Sequence, residues 1–396
     1  MSTMCADSAT FAPVSKSVAA PAVRRLILAD FRSYQSLDLK ISGHVVVLTG
    51  ENGAGKTNLL EAISLFSPGR GLRRADFADC CRESGPGGFS ISLELADALG
   101  SLQLGTGVDP PEEGAPRSRK CRIDRAPVSS ATAFAERLRI VWLTPAMDSL
   151  FTGPAGDRRR FLDRLVLAVD AAHGARVNGL ERALRNRNRL LEDGISNTYW
   201  LDATEREAAE LAVAVAAARY ETIDRLTGLI AASRDDASPF PWAQIALSGE
   251  VETLTAQYPA VAAEEHYRAI LRQNRARDAA AGRTLIGPHV SDLLVRHGPK
   301  NTDAARSSTG EQKALLVGLV LAHARLVAAM SDIAPLILLD EIAAHFDPLR
   351  RAALYAALGD IGGQVWLTGA DPAAFADLAG RAEMLQVAGG TVRPLG

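Results

Sequence analysis

The stretch Val45-Val46-Val47-Leu48, followed by Gly50-Glu51-Asn52-Gly53-Ala54-Gly55-Lys56-Thr57, constrains this chain more than any other feature. Four successive apolar residues are too few for a helix and read as a short strand covered on both faces. The G-x-x-x-x-G-K-T loop comes directly after it, and Leu59, Leu60, Ile63 and Leu65 then carry roughly helical spacing. In such a loop, glycines let backbone N–H groups turn inward around phosphate oxygens, the lysine neutralises the β- and γ-phosphates and the hydroxyl binds Mg²⁺. A glycine-rich surface turn is the alternative, but the order strand, loop, helix supplies the context that phosphate binding requires. The residues expected to hold ATP are Gly50, Glu51, Asn52, Gly53, Ala54, Gly55, Lys56, Thr57 and Asn58.

A phosphate loop alone leaves kinases, GTPases, transporters and motors open. The run Leu336-Ile337-Leu338-Leu339-Asp340-Glu341 narrows them, because it is a buried strand ending in two carboxylates. Asp340, with Thr57, is expected to hold Mg²⁺, and Glu341 to polarise the attacking water. A strand ending in a solvated acidic turn would look the same in isolation. A third element, Ser307-Ser308-Thr309-Gly310-Glu311-Gln312-Lys313, is a small-residue turn opening an apolar helix. Ser308 and Glu311 have the spacing of a capping box, and the same helix start can form an anion site; the two readings are compatible. Since Lys56 already serves the phosphates from its own side, a second phosphate site is most useful to a second subunit.

Leu26, Leu28 and Phe31, then Leu37, Leu39 and Ile41, alternate with polar residues and predict two half-buried strands joined through Arg32-Ser33-Tyr34. Ser90 to Leu95 is strand-like between turn-rich stretches and predicts an antiparallel part. From about Pro154 to Arg234 the sequence becomes Ala-, Leu- and Arg-rich and helical, and after Gly287 strand-and-loop patterns return, with another buried strand at Gln364-Val365-Trp366-Leu367. The fold class expected is therefore α/β, with a mixed sheet, an antiparallel β part and an inserted helical lobe. The expected divisions are a flexible extension over 1–21, a first head segment over 22–150, the helical lobe over 151–286 and a second head segment over 287–396. No uninterrupted apolar run reaches the ~18–20 residues of a membrane span, so no membrane association is expected. Cys5, Cys80, Cys81 and Cys121 form no C-x-x-C pair, which suits a reducing cytoplasm. A net charge of -2 confines any nucleic-acid contact to local patches.

The order of phosphate loop, S-T-G-E-Q-K, L-L-D-E and a following Asp347 resembles the ABC-type ATPases of the SMC-like repair group, and within it the RecF family of bacterial recombination mediators. The resemblance spans nearly the whole chain. It includes Phe31-Arg32-Ser33-Tyr34, Trp142-Leu143-Thr144-Pro145, Arg159-Arg160-Phe161-Leu162-Asp163, Arg187-Asn188-Arg189-Leu190-Leu191 and Gly287-Pro288-His289. It implies an ABC-type head and a head-to-tail homodimer in which Ser308 and Gly310 of one copy cap the γ-phosphate held by Lys56 of the other. Arg32 would reach the nucleotide, and Asp347 would lie in a loop crossing the interface. The family hydrolyses ATP weakly, binds DNA as dimers and acts with RecR and RecO to help RecA load at gaps.

The sequence departs from the wider ABC pattern in two places and from the family's own pattern in a third. No glutamine occurs between Asn58 and Leu102, where one is expected at the lobe boundary; Thr368-Gly369-Ala370-Asp371 replaces the switch histidine; and Val290-Ser291 stands where the family has Arg-Asp. An ABC transporter ATPase subunit shares the motif order, but it would carry the glutamine and the histidine and lack the Arg-rich insert. Three basic clusters are candidates for DNA phosphates, or else ordinary solvated faces. They are Arg158, Arg159, Arg160 and Arg164; Arg182, Arg185 and Arg189; and Arg117, Arg119 and Lys120 with Arg122 and Arg125.

Overall fold

The structure, a computed structural model, describes residues 18–97, 100–112, 118–194, 198–343 and 346–395. Most of the expected N-terminal extension, together with Cys5 and Arg117, lies outside the described residues.

The first alternating segments form β1 (Ala22–Phe31) and β2 (Tyr34–Lys40), antiparallel with Leu28 opposite Leu37. They head a six-stranded antiparallel sheet with β4 (Phe89–Asp97), β5 (Gly100–Val108), β6 (Lys120–Ile123) and β7 (Ala126–Val128). The apolar run before the phosphate loop is β3 (Val45–Thr49), and α1 (Lys56–Ser64) follows the loop. The second six-stranded sheet is mixed, in the order β15 (Thr391–Pro394), β14 (Glu383–Ala388), β3, β13 (Val365–Gly369), β12 (Leu336–Leu339), β8 (Ile140–Leu143). Its parallel core runs β14, β3, β13, β12, β8.

Alternation along these strands divides the hydrophobic interior in two. Val46, Leu48, Trp142, Leu336, Leu338 and Trp366 join the core shared with α1 and the antiparallel sheet. Val47, Val141, Leu143, Ile337, Leu339, Val365 and Leu367 join the core shared with the helices. Side chains of period two on a sheet covered on both faces produce this division. The buried amide of Gln364 fastens the two sheets: it accepts from the Val23 N–H at 2.9 Å and donates to the carbonyls of Val23 and Gly43 at 3.1 and 2.9 Å.

The helical lobe contains α2 (Ala155–Val169), α3 (His173–Glu192), α4 (Thr198–Ala232), α5 (Glu250–Gln257), α6 (Ala260–Gln273) and α7 (Arg275–Ala281). A boundary expected at 286/287 falls between two paired strands. β9 (Ala243–Ser248) joins β10 (Asp292–His297), and β11 (Thr302–Asp303) completes a three-stranded sheet across it. The second head segment adds α8 (Thr309–Ser331) and α9 (Pro348–Ile361).

At 23 residues, with mean hydropathy 1.9 over an 18-residue window, α8 is long and apolar enough to cross a membrane, although its sequence holds no uninterrupted apolar run of that length. It is apolar nearly all round because the chain buries it, with Leu316, Leu319 and Val327 in the shared core, each worth about 1.5–3 kcal/mol of buried surface.

Two buried ionic clusters hold the lobe. Arg187 on α3 is fully buried and donates to Glu205 on α4 at 3.0 Å, Asp278 on α7 at 2.7 Å and the Leu271 carbonyl at 2.7 Å. Arg219 on α4 donates to both oxygens of Asp163 at 2.8 and 3.0 Å, to Ser291 Oγ at 2.9 Å and to the Pro288 carbonyl at 2.7 Å. Asp163 also meets His173 Nε2 at 2.8 Å, and these partners hold its carboxyl below the usual range against the opposing effect of burial. Ser291 thus has an internal role at one of the positions that depart from the family pattern.

Removing Arg187 would leave Asp278 in the interior without a cation, while Glu205 would keep only Arg275. Arg187→Met is expected to cost about 3–5 kcal/mol and to unfold the helical lobe first, read by urea denaturation with hydrogen exchange on α3, α4 and α7. A loss below about 1 kcal/mol would refute this account of the cluster.

His323 on α8 is buried, with Nε2 2.9 Å from the Leu165 carbonyl. Burial pushes its pKa down to about 4 from 6.5. Because the folded state disfavours the imidazolium, this contribution to stability is complete above pH 6.5 and lost as pH falls towards 4. The stability difference between wild type and His323→Gln should therefore shift by up to about 1.4 kcal/mol per pH unit across that window, in favour of the variant. Parallel stability curves for the two proteins from pH 7 to 5 would contradict it.

Candidate functional site: a phosphate-binding cleft

The carboxyl edge of the parallel strands, the start of α1 and the entrance to the helical lobe enclose a cavity of about 1160 Å³. Gly50 and Gly55 have φ of +145° and +110°, and a Cβ at Gly50 would lie 2.2 Å from the Val387 carbonyl oxygen. Only glycine fits that turn. Gly55 caps α1 and its carbonyl accepts from Tyr34 OH at 3.1 Å, so the β1–β2 turn braces the loop. Lys56 Nζ donates to the carbonyls of Gly50 and Glu51 at 2.7 and 2.9 Å and lies 3.7 Å from Glu341. A phosphate entering the loop meets the start of α1 and competes for this ammonium.

Thr57 Oγ1 donates to the Asp340 oxygens at 2.9 and 3.0 Å, bringing together the two groups expected to hold Mg²⁺. Thr368 Oγ1 adds a donor to Asp340 at 2.8 Å and accepts the Glu341 N–H at 2.9 Å. Burial, with the charge of Glu341 as a smaller contribution, raises the pKa of Asp340 against the two hydroxyl donors. A buried carboxylate beside a hydroxyl and short of positive charge is a donor set suited to a hard divalent cation. Glu341 has φ +54°, a left-handed conformation uncommon for Glu and a feature of functional sites. Asn52, Gly53 and Asn58 also line the cleft.

Of the remaining predicted residues, Arg32 makes a two-pronged pair with Glu61 at 2.9 and 2.7 Å and donates to the Asp79 carbonyl at 2.6 Å. That pair must open before Arg32 can touch a nucleotide. Arg73 shares Glu61, donates to Asn58 at 2.7 Å and lines the cleft; in the sequence nothing distinguishes it from Arg70 and Arg74 beside it. Thr368 is visible there only as a missing histidine. The chain crosses into the helical lobe through 144–154, after β8, rather than just behind α1; Thr144, the residue after that strand, follows Leu143 as Asp340 follows its partner Leu339. The lobe boundary therefore lies beyond the interval in which a glutamine was expected.

Ser308 and Gly310 lie outside the cleft, at the start of α8, with Gly310 exposed. The capping box is formed: Ser308 Oγ accepts the Glu311 N–H at 3.4 Å and Glu311 accepts the Ser308 N–H at 3.1 Å. Lys300, helped by that N–H, holds the Glu311 carboxyl down to about 2. A Cβ added at Gly310 meets nothing within 4 Å.

The basic clusters separate by burial. Arg158 pairs with Asp292 at 2.8 Å, Arg159 donates to the Ser291 carbonyl at 2.7 Å, and Arg119 donates to Thr106 and the Gly69 carbonyl at 2.8 and 2.9 Å. Arg182, Arg185 and Arg189 instead lie exposed along one face of α3, and Lys120, Arg122 and Arg125, beside Arg119, are exposed on the antiparallel sheet.

Residues 25–80 match a family model described as an AAA domain. The chain is 54% identical over 373 residues to a DNA replication and repair protein RecF of Mesorhizobium japonicum, covering 94% of this chain and 97% of the relative. It is 53% identical over 368 residues to that of Rhizobium meliloti, covering 93% and 97%. A solved structure described as the recombination mediator protein RecF-ATP in the RecFOR pathway superposes with TM-score 0.79 at 18% identity, covering 95% of this chain and 100% of that one. An SMC head bound to the C-winged helix domain of ScpA superposes at 0.51 with 14% identity, covering 94% and 96%. These two share the fold. Because identity above one half extends over almost the full length of both partners, the chain belongs to the RecF family of DNA replication and repair proteins.

Proposed function

We propose that the chain is an ATP-driven clamp of recombinational repair: two copies close on ATP, hold DNA at gaps and hydrolyse the nucleotide slowly. It works in the cytoplasm with RecR and RecO to help RecA load. The observation that carries the reading is the division of the phosphate-binding groups. Lys56, Thr57, Asp340 and Glu341 gather in one cleft, while Ser308 and Gly310 stand outside it. A second copy turned head-to-tail can bring the two halves together. Asp347, the exposed cap of α9, and its apolar neighbour Leu349, 72% exposed, fit such an interface.

Within each half, Lys56 and the loop N–H groups bind the β- and γ-phosphates, and Glu341 orients the attacking water. Mg²⁺ held by Thr57 and Asp340 neutralises charge on the phosphates when bound. Arg32 exchanges Glu61 for the nucleotide. The exposed face of Arg182, Arg185 and Arg189 contacts DNA phosphates. Two of these arginines have only loose ion pairs, Arg185 to Glu181 at 3.7 Å and Arg189 to Asp193 at 3.9 Å.

Sedimentation with ATP and Mg²⁺, run with Lys56→Ala as the non-binding control, tests the clamp. Gly310→Glu places a carboxylate in open space and is expected to leave ATP affinity and folding intact while abolishing ATP-dependent pairing through repulsion of the γ-phosphate. Glu341→Gln is expected to accumulate the ATP-bound dimer. Equal dimerisation by wild type and Gly310→Glu removes the cross-subunit site.

DNA binding by α3 is tested separately. Changing Arg182, Arg185 and Arg189 to Ala is expected to reduce the slope of log affinity against log salt by about 0.9 for each duplex phosphate that is no longer neutralised. An unchanged slope moves the DNA site elsewhere.

A further inference from the structure

The cleft extends well past the phosphate loop. At about 1160 Å³ it exceeds the ~300–1,000 Å³ of an ordinary small-molecule site, and its far wall carries two arginines to which the proposed clamp gives no role. Arg164 on α2 is held between two aromatic rings, its guanidinium carbon 5.2 Å from the centre of Trp142 and 5.0 Å from that of Phe161. Its hydrogen bond goes to a thioether, Met147 Sδ at 3.1 Å, and among the described residues it has no carboxylate or carbonyl partner. Arg74 has a left-handed backbone, φ +57°, lines the same cleft, and makes no hydrogen bond or ion pair among the described residues.

The acids close by have other partners: Asp163 pairs with Arg219 and His173, Asp157 with Arg160, and Glu181, which also lines the cleft, loosely with Arg185 at 3.7 Å. Trp142, which also lines the cleft and is 6% exposed, has an indole Nε1–H without an acceptor among the described residues. Burial, and then the charge of Arg74, lowers the Arg164 guanidinium to about 9, so it is still a cation at neutral pH. Two neighbouring cations with no ion pair among the described residues, together with an unsatisfied donor, concentrate positive potential on one wall, offset only at a distance by Asp163 and Glu181.

From the cleft wall that Arg74, Arg164 and Trp142 share, we infer that the two arginines form a second anion site which takes a phosphate oxyanion beside the nucleotide. The planar guanidinium fork suits this ligand, and stacking on both rings fixes its orientation. The oxyanion has two possible sources. One is the inorganic phosphate released when the bound ATP is cut, which makes the wall a holding point on its way out; this source rests on the proposed hydrolysis. The other is a backbone phosphate of nucleic acid entering the cleft.

The test is calorimetric titration of inorganic phosphate into the full chain saturated with ADP and Mg²⁺, which fills the phosphate loop. The titration needs no turnover, so a chain that binds ADP without hydrolysing ATP can still pass or fail it. Phosphate is expected to bind the ADP-loaded wild type, and Arg164→Met and Arg74→Gly are each expected to weaken it by about tenfold to a hundredfold, with ADP affinity unchanged. Arg74→Gly also suits the left-handed backbone, so it remains a test if Arg164→Met is unstable; Arg164→Lys should recover part of the binding.

A short single-stranded oligonucleotide then identifies the source. Displacement of phosphate from wild type, with weaker oligonucleotide binding in both variants, assigns the site to nucleic acid; phosphate binding indifferent to oligonucleotide assigns it to the released product. If neither ligand binds the ADP-loaded protein more weakly in either variant than in wild type, the inference is overturned.

Discussion

The candidate site depends first on how Asp340 is held. Its carboxylate is buried at the end of β12 and receives hydrogen bonds from Thr57 on α1 and Thr368 on β13. Three elements distant in sequence are thereby fixed to one pair of oxygens. Burial raises the free energy of the ionised carboxylate, and two neutral donors offset this only in part, so its pKa remains raised. A divalent cation would complete what the hydroxyls begin. The same junction governs Glu341: Thr368 accepts its N–H, and the left-handed turn interrupts the alternation of the strand, so that successive carboxylates line one cleft.

This junction is rigid because the sheet beneath it is packed on both sides. α8 and the helical lobe cover one face, and α1 with the antiparallel sheet covers the other. The helical lobe is tied closely to the head. It enters directly from β8, whose end lies in line with Asp340, and it exchanges strands with the second head segment through β9 and β10. Lys313 at the start of α8 reaches Asp148, just beyond β8, at 3.2 Å. The helix that Ser308 caps and the cleft of Lys56 therefore belong to one packed unit.

Features that depend on a few consecutive residues were legible in the sequence. The strand before the phosphate loop, the loop itself, the acidic strand and the capping box all follow from local spacing, and β12 occupies the four residues expected of it. Features that depend on partners were not. The pairing of β9 with β10 joins residues far apart in sequence, and Ala243–Ser248 gives only a weak alternating signal next to long helices. Arg32 and Arg73 both bind Glu61, yet only the fold determines which of them faces the cleft. Thr368 has no motif of its own, and its role arises because β13 lies between β3 and β12.

Arginine illustrates the same limit in electrostatic terms. Arg187 and Arg219 are wholly internal, each answering two carboxylates, while Arg182, Arg185 and Arg189 face solvent from the same helical sequence. Helical periodicity separates an inward from an outward arginine only when the inward face is known, and here Arg187 lies between two outward neighbours at Arg185 and Arg189. Internal pairing also explains how a chain with net charge -2 can approach a polyanion: the buried arginines each occupy two acids inside the protein. Exposed cations remain on one face of α3 and at Lys120, Arg122 and Arg125 of the antiparallel sheet, and others line the wall of the cleft. At an ionic strength that screens beyond about 8 Å, those local charges, and not the net charge, decide where phosphate binds.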